Sequence, residues 1–177
     1  MCAYKLIKPS DDYIKEIDNF KKEILSSDTE YRFAGCASLE NFDDIKEWIK
    51  KVDSYSSKET CPSGFVPSSL FMFVRDVDNK VVGMIDLRHH IDHPILSLFG
   101  GHIGYSIRPS ERRKGIGTLM LKEALSKYKE LDVDRVLVTC FKDNIGSEKV
   151  IRNNGGVFEK EVENEGAKYK RFWIDIN

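Results

Sequence analysis

The stretch SERRKGIGTLMLKEAL, from Ser110 to Leu125, runs three consecutive cationic side chains into two glycines and then into an amphipathic helix. The first amides of a helix have no intrahelical partner, and the helix dipole adds about half a positive charge at the same end. Gly115 and Gly117 have no Cβ to keep an anion away from these amides. The stretch therefore predicts a site for a phosphate group at the start of a helix.

The glycine pattern differs from the common phosphate-binding motifs. It has neither the Gly-Lys-Ser/Thr ending of a P-loop nor the Gly-x-Gly-x-x-Gly of a dinucleotide-binding fold. Taken alone, two glycines at a helix start also fit an ordinary loop with solvated Arg and Lys side chains. The surrounding sequence is needed to separate these interpretations.

Hydrophobic periodicity outward from this helix predicts the order βααβββαβαββ, a mixed α+β sheet with about four helices on its faces. Proline at position 109 ends the strand before the glycines, because it has no amide to donate to a sheet. The predicted strands are Tyr4 to Ile7, Leu70 to Arg75, Val81 to Arg88, His102 to Arg108, Arg135 to Phe141 and two C-terminal strands joined by ENEG, residues 163–166. The other predicted helices run from Tyr13 to Leu25, from Phe42 to Val52 and from Asn144 to Asn153.

Composition excludes several classes of function. The 177 residues carry 28 basic and 29 acidic side chains, a net charge of −1, so no global charge favours nucleic acid or an anionic membrane. No apolar run approaches 18 residues, and the start of the chain does not look like a signal peptide. The cysteines Cys2, Cys36, Cys61 and Cys140 lie too far apart for a zinc knuckle or a disulfide framework. We expect one cytoplasmic domain over residues 1–177.

Two motifs together resemble those of a known family. IRPSERRKGIGTLML is similar to the coenzyme A pyrophosphate loop of the GCN5-related N-acetyltransferase (GNAT) family, whose signature Arg/Gln-x-x-Gly-x-Gly/Ala matches Arg112, Gly115 and Gly117. NIGSEKVIRNNGG resembles the second motif of the same family, with Asn144 and Ser147 at the expected spacing. The resemblance implies a mostly antiparallel sheet in which one parallel pair of strands splays apart.

The same resemblance implies acetyl-CoA as cofactor and an amine as acceptor. The strand from Tyr105 to Ile107 would pair with the pantetheine arm, and Asn144 and Ser147 would contact that arm from the other side. The amide of Ile107 would also polarise the thioester carbonyl. Many members dimerise, so a homodimer is possible. The implied phosphate contacts are the backbone amides of Arg112, Arg113, Lys114, Gly115, Ile116, Gly117 and Thr118.

The group that removes the amine proton is not fixed by either motif. His102 begins the strand that leads to the acyl site, and its ordinary pKa of ~6.5 suits a base or a water relay. A structural or substrate-binding histidine is the alternative, and Asp86 and His89 are further candidates for the base. The four histidines, His89, His90, His93 and His102, lack the spacing of a metal site.

One departure from the family affects the acid that would protonate the CoA thiolate. Many members carry tyrosine seven residues after the motif's asparagine, where this chain has Ile151. Tyr105, Cys140 and water remain as candidates for that acid.

The sequence therefore predicts an acetyl-CoA-dependent transfer to a primary amine of a small molecule or a protein, by direct attack. A non-catalytic acetyl-CoA-binding sensor or interaction module is the alternative, and an ATP-binding protein is a third. The amine would enter beside the two N-terminal helices and the loop from Ser54 to Ser69, where Glu40, Asp43 and Asp44 either hold it or are simply solvated.

Overall fold

The computed structural model describes residues 3–27 and 33–176, which form one seven-stranded sheet in the order β1-β2-β3-β4-β5-β7-β6. Cys2, one of the four cysteines, lies outside the described residues. The predicted α+β class and order of elements are confirmed. The elements are β1 (Tyr4–Ile7), α1 (Ile14–Leu25), α2 (Ile45–Ser54), β2 (Ser68–Arg75), β3 (Lys80–Arg88), β4 (Ile103–Ile107), α3 (Ile116–Leu125), β5 (Arg135–Phe141), α4 (Ile145–Asn153), β6 (Val157–Asn164) and β7 (Ala167–Asp175).

The parallel pair β4 and β5 interrupts an otherwise antiparallel sheet. Its ladder consists of a single pair, Ile103 with Val138, whereas β5 pairs with β7 along all seven residues. Because β5 follows β7, it separates from β4 beyond Ile103 and leaves a gap between Gly104–Ile107 and the end of β5. The predicted splay is confirmed.

Both faces of the sheet are covered, which explains why β3 and β5 read as continuous apolar runs. On one face, Ile85 and Leu87 of β3 pack in a core with α3 and with Ile151 of α4. On the other face, Met84 packs in a second core with α1 and α2. Side chains alternate between the faces with the period of two that a strand requires.

The connection between β3 and β4 has more structure than the sequence indicated. No helix was predicted there, but residues 94–100 are helical and end in a π-helical turn, Leu96–Gly100. The apolar residues of this turn are too few to show a helical period in the sequence. Within the described ranges, no helix combines the length and the apolar character that a membrane span needs.

Candidate functional site

The gap between β4 and β5 exposes the backbone edge of β4. The Arg108 amide donates to the Val82 carbonyl of β3 at 2.9 Å. Since the groups of a strand alternate between its two neighbours, the backbone N–H groups of Tyr105 and Ile107 lie on the side of β5. With β5 turned away, this edge can pair with an extended ligand.

At one end of the gap, α3 presents free backbone donors. Its first helical hydrogen bond joins the Leu119 amide to the Gly115 carbonyl at 3.1 Å, so the amides of Ile116, Gly117 and Thr118 stand outside the helical ladder. Gly115 adopts φ +78°, a left-handed conformation that glycine takes without strain.

Gly117 lies where α3 packs closely on α4. A Cβ at this position would lie 3.0 Å from Val150 Cγ2 of α4, so glycine allows α3 to approach α4 closely. The two predicted motifs therefore meet, because Val150 belongs to the helix that the second motif begins.

The cationic side chains of the loop are held in different ways. Arg112 Nε donates to the Ile107 carbonyl at 3.1 Å, and Lys114 Nζ lies 3.0 Å from a Glu111 carboxylate oxygen, whereas Arg113 is exposed. The Arg112 amide donates to the Pro109 carbonyl at 3.3 Å. The Arg112 amide, which was predicted to contact the phosphates, is thus engaged within the loop, and the amides left for a ligand begin at Arg113.

Buried ion pairs fix the start of this loop against α1. The Arg108 guanidinium contacts Glu23 at 2.7 Å and Glu16 at 3.0 Å, and the Ser110 amide donates to Glu23 at 2.7 Å. Burial opposes ionisation of Glu23, but the hydrogen bonds from Arg108 and Ser110 prevail and lower its pKa to about 2. The carboxylate therefore stays charged and keeps the loop in place.

The Tyr105 side chain of β4 reaches Ser147 at the start of α4, where Asn144 also lies, so these three predicted residues are close together. The Tyr105 hydroxyl lies 2.8 Å from Ser147 Oγ, and Asn144 Oδ1 accepts from the Ser147 amide at 3.0 Å, which caps α4. Burial raises the pKa of Tyr105, so its phenol is a neutral hydrogen-bond donor. Cys140 of β5 is also buried, and burial raises its pKa to about 11.

His102 lies at the root of the gap, but its geometry argues against a role as base. Its Nδ1 accepts from the Leu137 amide at 2.9 Å, and its own amide donates to the Leu137 carbonyl at 2.7 Å. Burial and the nearby Arg88 charge lower its pKa to about 4. Because Nδ1 is an acceptor, the proton of the neutral ring is on Nε2, and neither nitrogen is free to accept another. The ring instead joins β4 to β5.

Asp86 is better placed to meet an amine. It lies on β3 opposite Gly104, the first residue of β4 beyond the last pair with β5. Within the described ranges, Asp86 Oδ1 is buried without a hydrogen-bond partner, and Asp86 Oδ2 is 4.0 Å from Arg88 Nε. Burial raises the pKa of this carboxyl. His89, the other candidate, lies with Nε2 2.9 Å from Ser69 Oγ, and burial lowers its pKa.

A cavity of about 470 Å³ opens beside Asp86 on the face of α1 and α2. It lies next to α2 and the Ser54 to Ser69 loop, the region where the acceptor was predicted to enter. Glu40, Asp43 and Asp44 do not line it, and Asp44 instead caps α2 by accepting from the Lys46 amide at 2.8 Å. Its lining includes Lys51, Val52, Tyr55, Phe65, Ile95 and Leu96.

Two further predictions concern the acid at position 151 and a metal site. Ile151 is fully buried in the core under α4, so its position offers no acid to the gap. In the part of the chain that the structure describes, no three His, Cys, Asp or Glu side chains cluster as a metal site would require.

Comparison with solved structures finds the same fold in acetyltransferases. One is the ribosomal-protein-S5-alanine acetyltransferase from Vibrio fischeri, with a TM-score of 0.69 and 16% identity over 98% of this chain and 93% of that one. Another is the ribosomal L7/L12 alpha-N-protein acetyltransferase in complex with coenzyme A, with a TM-score of 0.67 and 17% identity over 98% and 94%. A third is the microcin C7 self-immunity acetyltransferase in complex with acetyl-CoA and AMP, with a TM-score of 0.65 and 18% identity over 98% and 92%.

No curated protein sequence gives a significant match. Residues 11–157, however, match the family described as the acetyltransferase (GNAT) domain, which covers most of the chain and both predicted motifs. The chain therefore belongs to the GNAT acetyltransferase family, as the resemblance of its motifs predicted.

Proposed function

We propose that this protein transfers the acetyl group of acetyl-CoA to a primary amine that enters from the opposite face of the sheet. The proposal is supported by two features that lie on either side of one gap: free backbone amides and a cavity that contains Asp86. A cradle of backbone amides lies at the α3 end, and a cavity lies on the α1 and α2 face, where Asp86 Oδ1 has no hydrogen-bond partner among the described residues. An acyl donor and an acceptor can therefore meet between β4 and β5 without competing for the same surface.

The cofactor side would work through the backbone. The amides of residues 113–118 would bind the pyrophosphate at the positive end of the α3 dipole, and the free edge of β4 at Tyr105 would orient the pantetheine arm. The Ile107 amide would donate to the thioester oxygen as negative charge develops there. Acetyl-CoA supplies the activated acyl group.

Asp86 would control the proton on the amine. An alkylamine with a pKa of ~10.4 is charged at neutral pH, and removing its proton at pH 7 costs on the order of 4 kcal/mol. A buried carboxylate with a raised pKa attracts the ammonium and then accepts its proton as the nitrogen attacks. This assignment replaces His102, whose ring nitrogens are already committed.

Tyr105 would return a proton to the leaving thiolate. Its hydroxyl lies on the wall of the gap, hydrogen-bonded to Ser147, and its raised pKa keeps it protonated at neutral pH. A thiol with a pKa near 8.5 is a fair leaving group, so this help is useful rather than essential.

The test combines binding and turnover. Thermal unfolding is followed with acetyl-CoA, CoA and ATP at equal excess, and CoA thiol release is followed with a panel of amines. We expect acetyl-CoA and CoA to raise the midpoint where ATP does not, and thiol release to require an amine.

The alternative, a non-catalytic acetyl-CoA-binding module, is favoured by the buried Ile151 at the usual acid position. It predicts the same thermal shifts with no thiol release for any amine. A shift with ATP alone would overturn both assignments of the site. The single-domain extent over residues 1–177 and a homodimer stay predictions.

A further inference from the structure

We infer that the acceptor is a small monoamine with an apolar, aromatic-sized body, seated in the 470 Å³ cavity with its ammonium on Asp86. The inference rests on the proposed function and names the substrate class of that site. Three independent features of the cavity carry it: a buried carboxylate oxygen with no hydrogen-bond partner among the described residues, largely apolar walls and resident positive charge.

One oxygen of the carboxylate lacks a hydrogen-bond partner among the described residues, although the group pairs weakly with Arg88 and has a hydrogen bond with Ser68. Arg88, the nearest cation, is engaged elsewhere, because its Nη1 donates to the Gly100 and Gly101 carbonyls at 3.1 and 3.0 Å. Its Nε stays 4.0 Å from Asp86 Oδ2, and Asp86 Oδ1 is left with no protein donor among the described residues. An ammonium supplies up to three donors and a compensating charge.

The walls of the cavity are largely apolar and include large apolar side chains that are exposed to water. Phe65 is 62% exposed and Ile95 is 52% exposed, although both line this cavity. The Phe65 ring meets the Tyr55 ring edge to face, with centroids 5.3 Å apart. An apolar body between the aromatic pair and Ile95 would remove this surface from water.

The cations of the cavity disfavour a second ammonium. Lys51 also lines the cavity, where its Nζ donates to the Ala37 carbonyl at 3.0 Å and lies 5.9 Å from the centroid of the Tyr55 ring. With Arg88 nearby, one carboxylate faces two cations. A monoamine brings one positive charge to Asp86, whereas each further ammonium of a polyamine would add another positive charge against Lys51 and Arg88.

The wall that carries Ile95 and Leu96 is held firmly in place. Carbonyls at the end of residues 94–100 accept from side chains of three strands: Arg88 of β3, Thr139 of β5 and Arg171 of β7. The Thr139 hydroxyl donates to the Phe99 carbonyl at 2.7 Å. The cavity is therefore preformed, which suits selection by shape.

The test measures kcat/KM with 2-phenylethylamine, ethanolamine, spermidine and a short peptide with a free N-terminal alanine. We expect 2-phenylethylamine to exceed each of the others by at least about tenfold, and Phe65→Ala to reduce its advantage over ethanolamine by about fivefold. Val77→Ala is the matched control, because Val77 is 76% exposed in the β2–β3 turn, far from the cavity. That variant should leave the ranking unchanged. A preference for spermidine or the peptide, or a ranking that does not respond to Phe65→Ala, would overturn the inference.

Calorimetry of 2-phenylethylamine with the wild-type protein, without acetyl-CoA, separates this inference from the proposed function. Binding that is weakened by Phe65→Ala, together with no thiol release for any amine, would refute the transferase and keep the cavity assignment. Thiol release with no dependence on Phe65 would keep the transferase and refute the cavity assignment.

Discussion

The two sides of the β4–β5 gap are built on different principles. On the α3 side, the groups proposed to act are backbone amides, and glycines leave those amides accessible and let the helices pack closely. On the α2 side, the working groups are side chains from α2, β3, the 55–66 loop and the 93–96 segment. The first side depends on local conformation and can serve one constant ligand. The second depends on distant segments meeting, and it can change its specificity by changing loops.

We expect the largest loss of stability from a substitution that disturbs packing on the acceptor side. A Cβ on Gly35 would lie 2.0 Å from the Gly104 carbonyl oxygen, so Gly35→Ala must push the 33–38 loop off β4. We expect a loss of about 3 kcal/mol or more in the free energy of unfolding, measured with urea. Gly64→Ala is the control, since Gly64 has φ +86° but nothing within 4 Å of its Cβ, and it should lose only about 1 kcal/mol. Equal losses would show that the Gly35 contact is unimportant.

Substitution of Asp86 should impair turnover of the amine without changing the binding of acetyl-CoA. Asp86→Asn keeps the shape of the side chain but removes the negative charge and the proton acceptor. We expect kcat/KM for the amine to fall by about 100-fold or more, with an unchanged dissociation constant for acetyl-CoA. Asp76→Asn, in the β2–β3 turn, is the control and should be silent. A comparable loss of acetyl-CoA affinity would place Asp86 on the wrong side of the gap.

Backbone strain should weaken the cofactor side alone. Gly115→Ala forces alanine into φ +78°, at a cost of about 1 kcal/mol, which corresponds to roughly fivefold weaker acetyl-CoA binding if the loop relaxes to another conformation. Gly155→Ala has a similar φ of +83° and open space, but it lies beyond α4. It should reduce stability without changing the affinity, as measured by calorimetry. Matching affinities for the two variants would argue against the amide cradle.

Acid should reach Asp86 in the cavity before it loosens the loop, because burial raises the pKa of Asp86 whereas the pKa of Glu23 is lowered. The pKa of Glu23 is about 2 in the folded protein, below its ordinary value, so its contribution to stability is present above pH 4.5 and is lost as the pH falls toward 2. Glu23→Gln should therefore destabilise the protein at pH 7 by more than at pH 3, as measured by urea unfolding. Glu163→Gln, an exposed residue of β6, should show no such pH dependence.

The smallest effect is expected at His102. Its pKa of about 4 predicts that the ring stays neutral from pH 5 to pH 8, so its ring-carbon NMR shifts should not titrate in that range. The kcat/KM profile should likewise show no inflection that His102→Gln removes. A ring that titrates near pH 6.5 would restore His102 as a candidate base.

The order of helices and strands could be predicted because it follows from hydrophobic patterns within short stretches of the sequence. Periods of two and 3.6 residues gave the eleven elements in order, although β2 begins two residues earlier than expected and β4 one residue later. The later start of β4 has a physical cause: His102 uses its imidazole as well as its backbone to contact Leu137, so it does not behave as a regular strand residue. The same contact explains why His102, a reasonable base from its position in the sequence, is occupied in the fold.

The sequence by itself determined the fold class through its hydrophobic period and indicated the family through two motifs, because both signals lie within short stretches of chain. Only the tertiary structure decided the acceptor side. Asp86 became the leading carboxylate, and Glu40, Asp43 and Asp44 did not, because burial and hydrogen-bond partners depend on which distant segments pack together. Residues that are separated by tens of positions, such as Lys51, Asp86 and Ile95, share a cavity that no local pattern encodes.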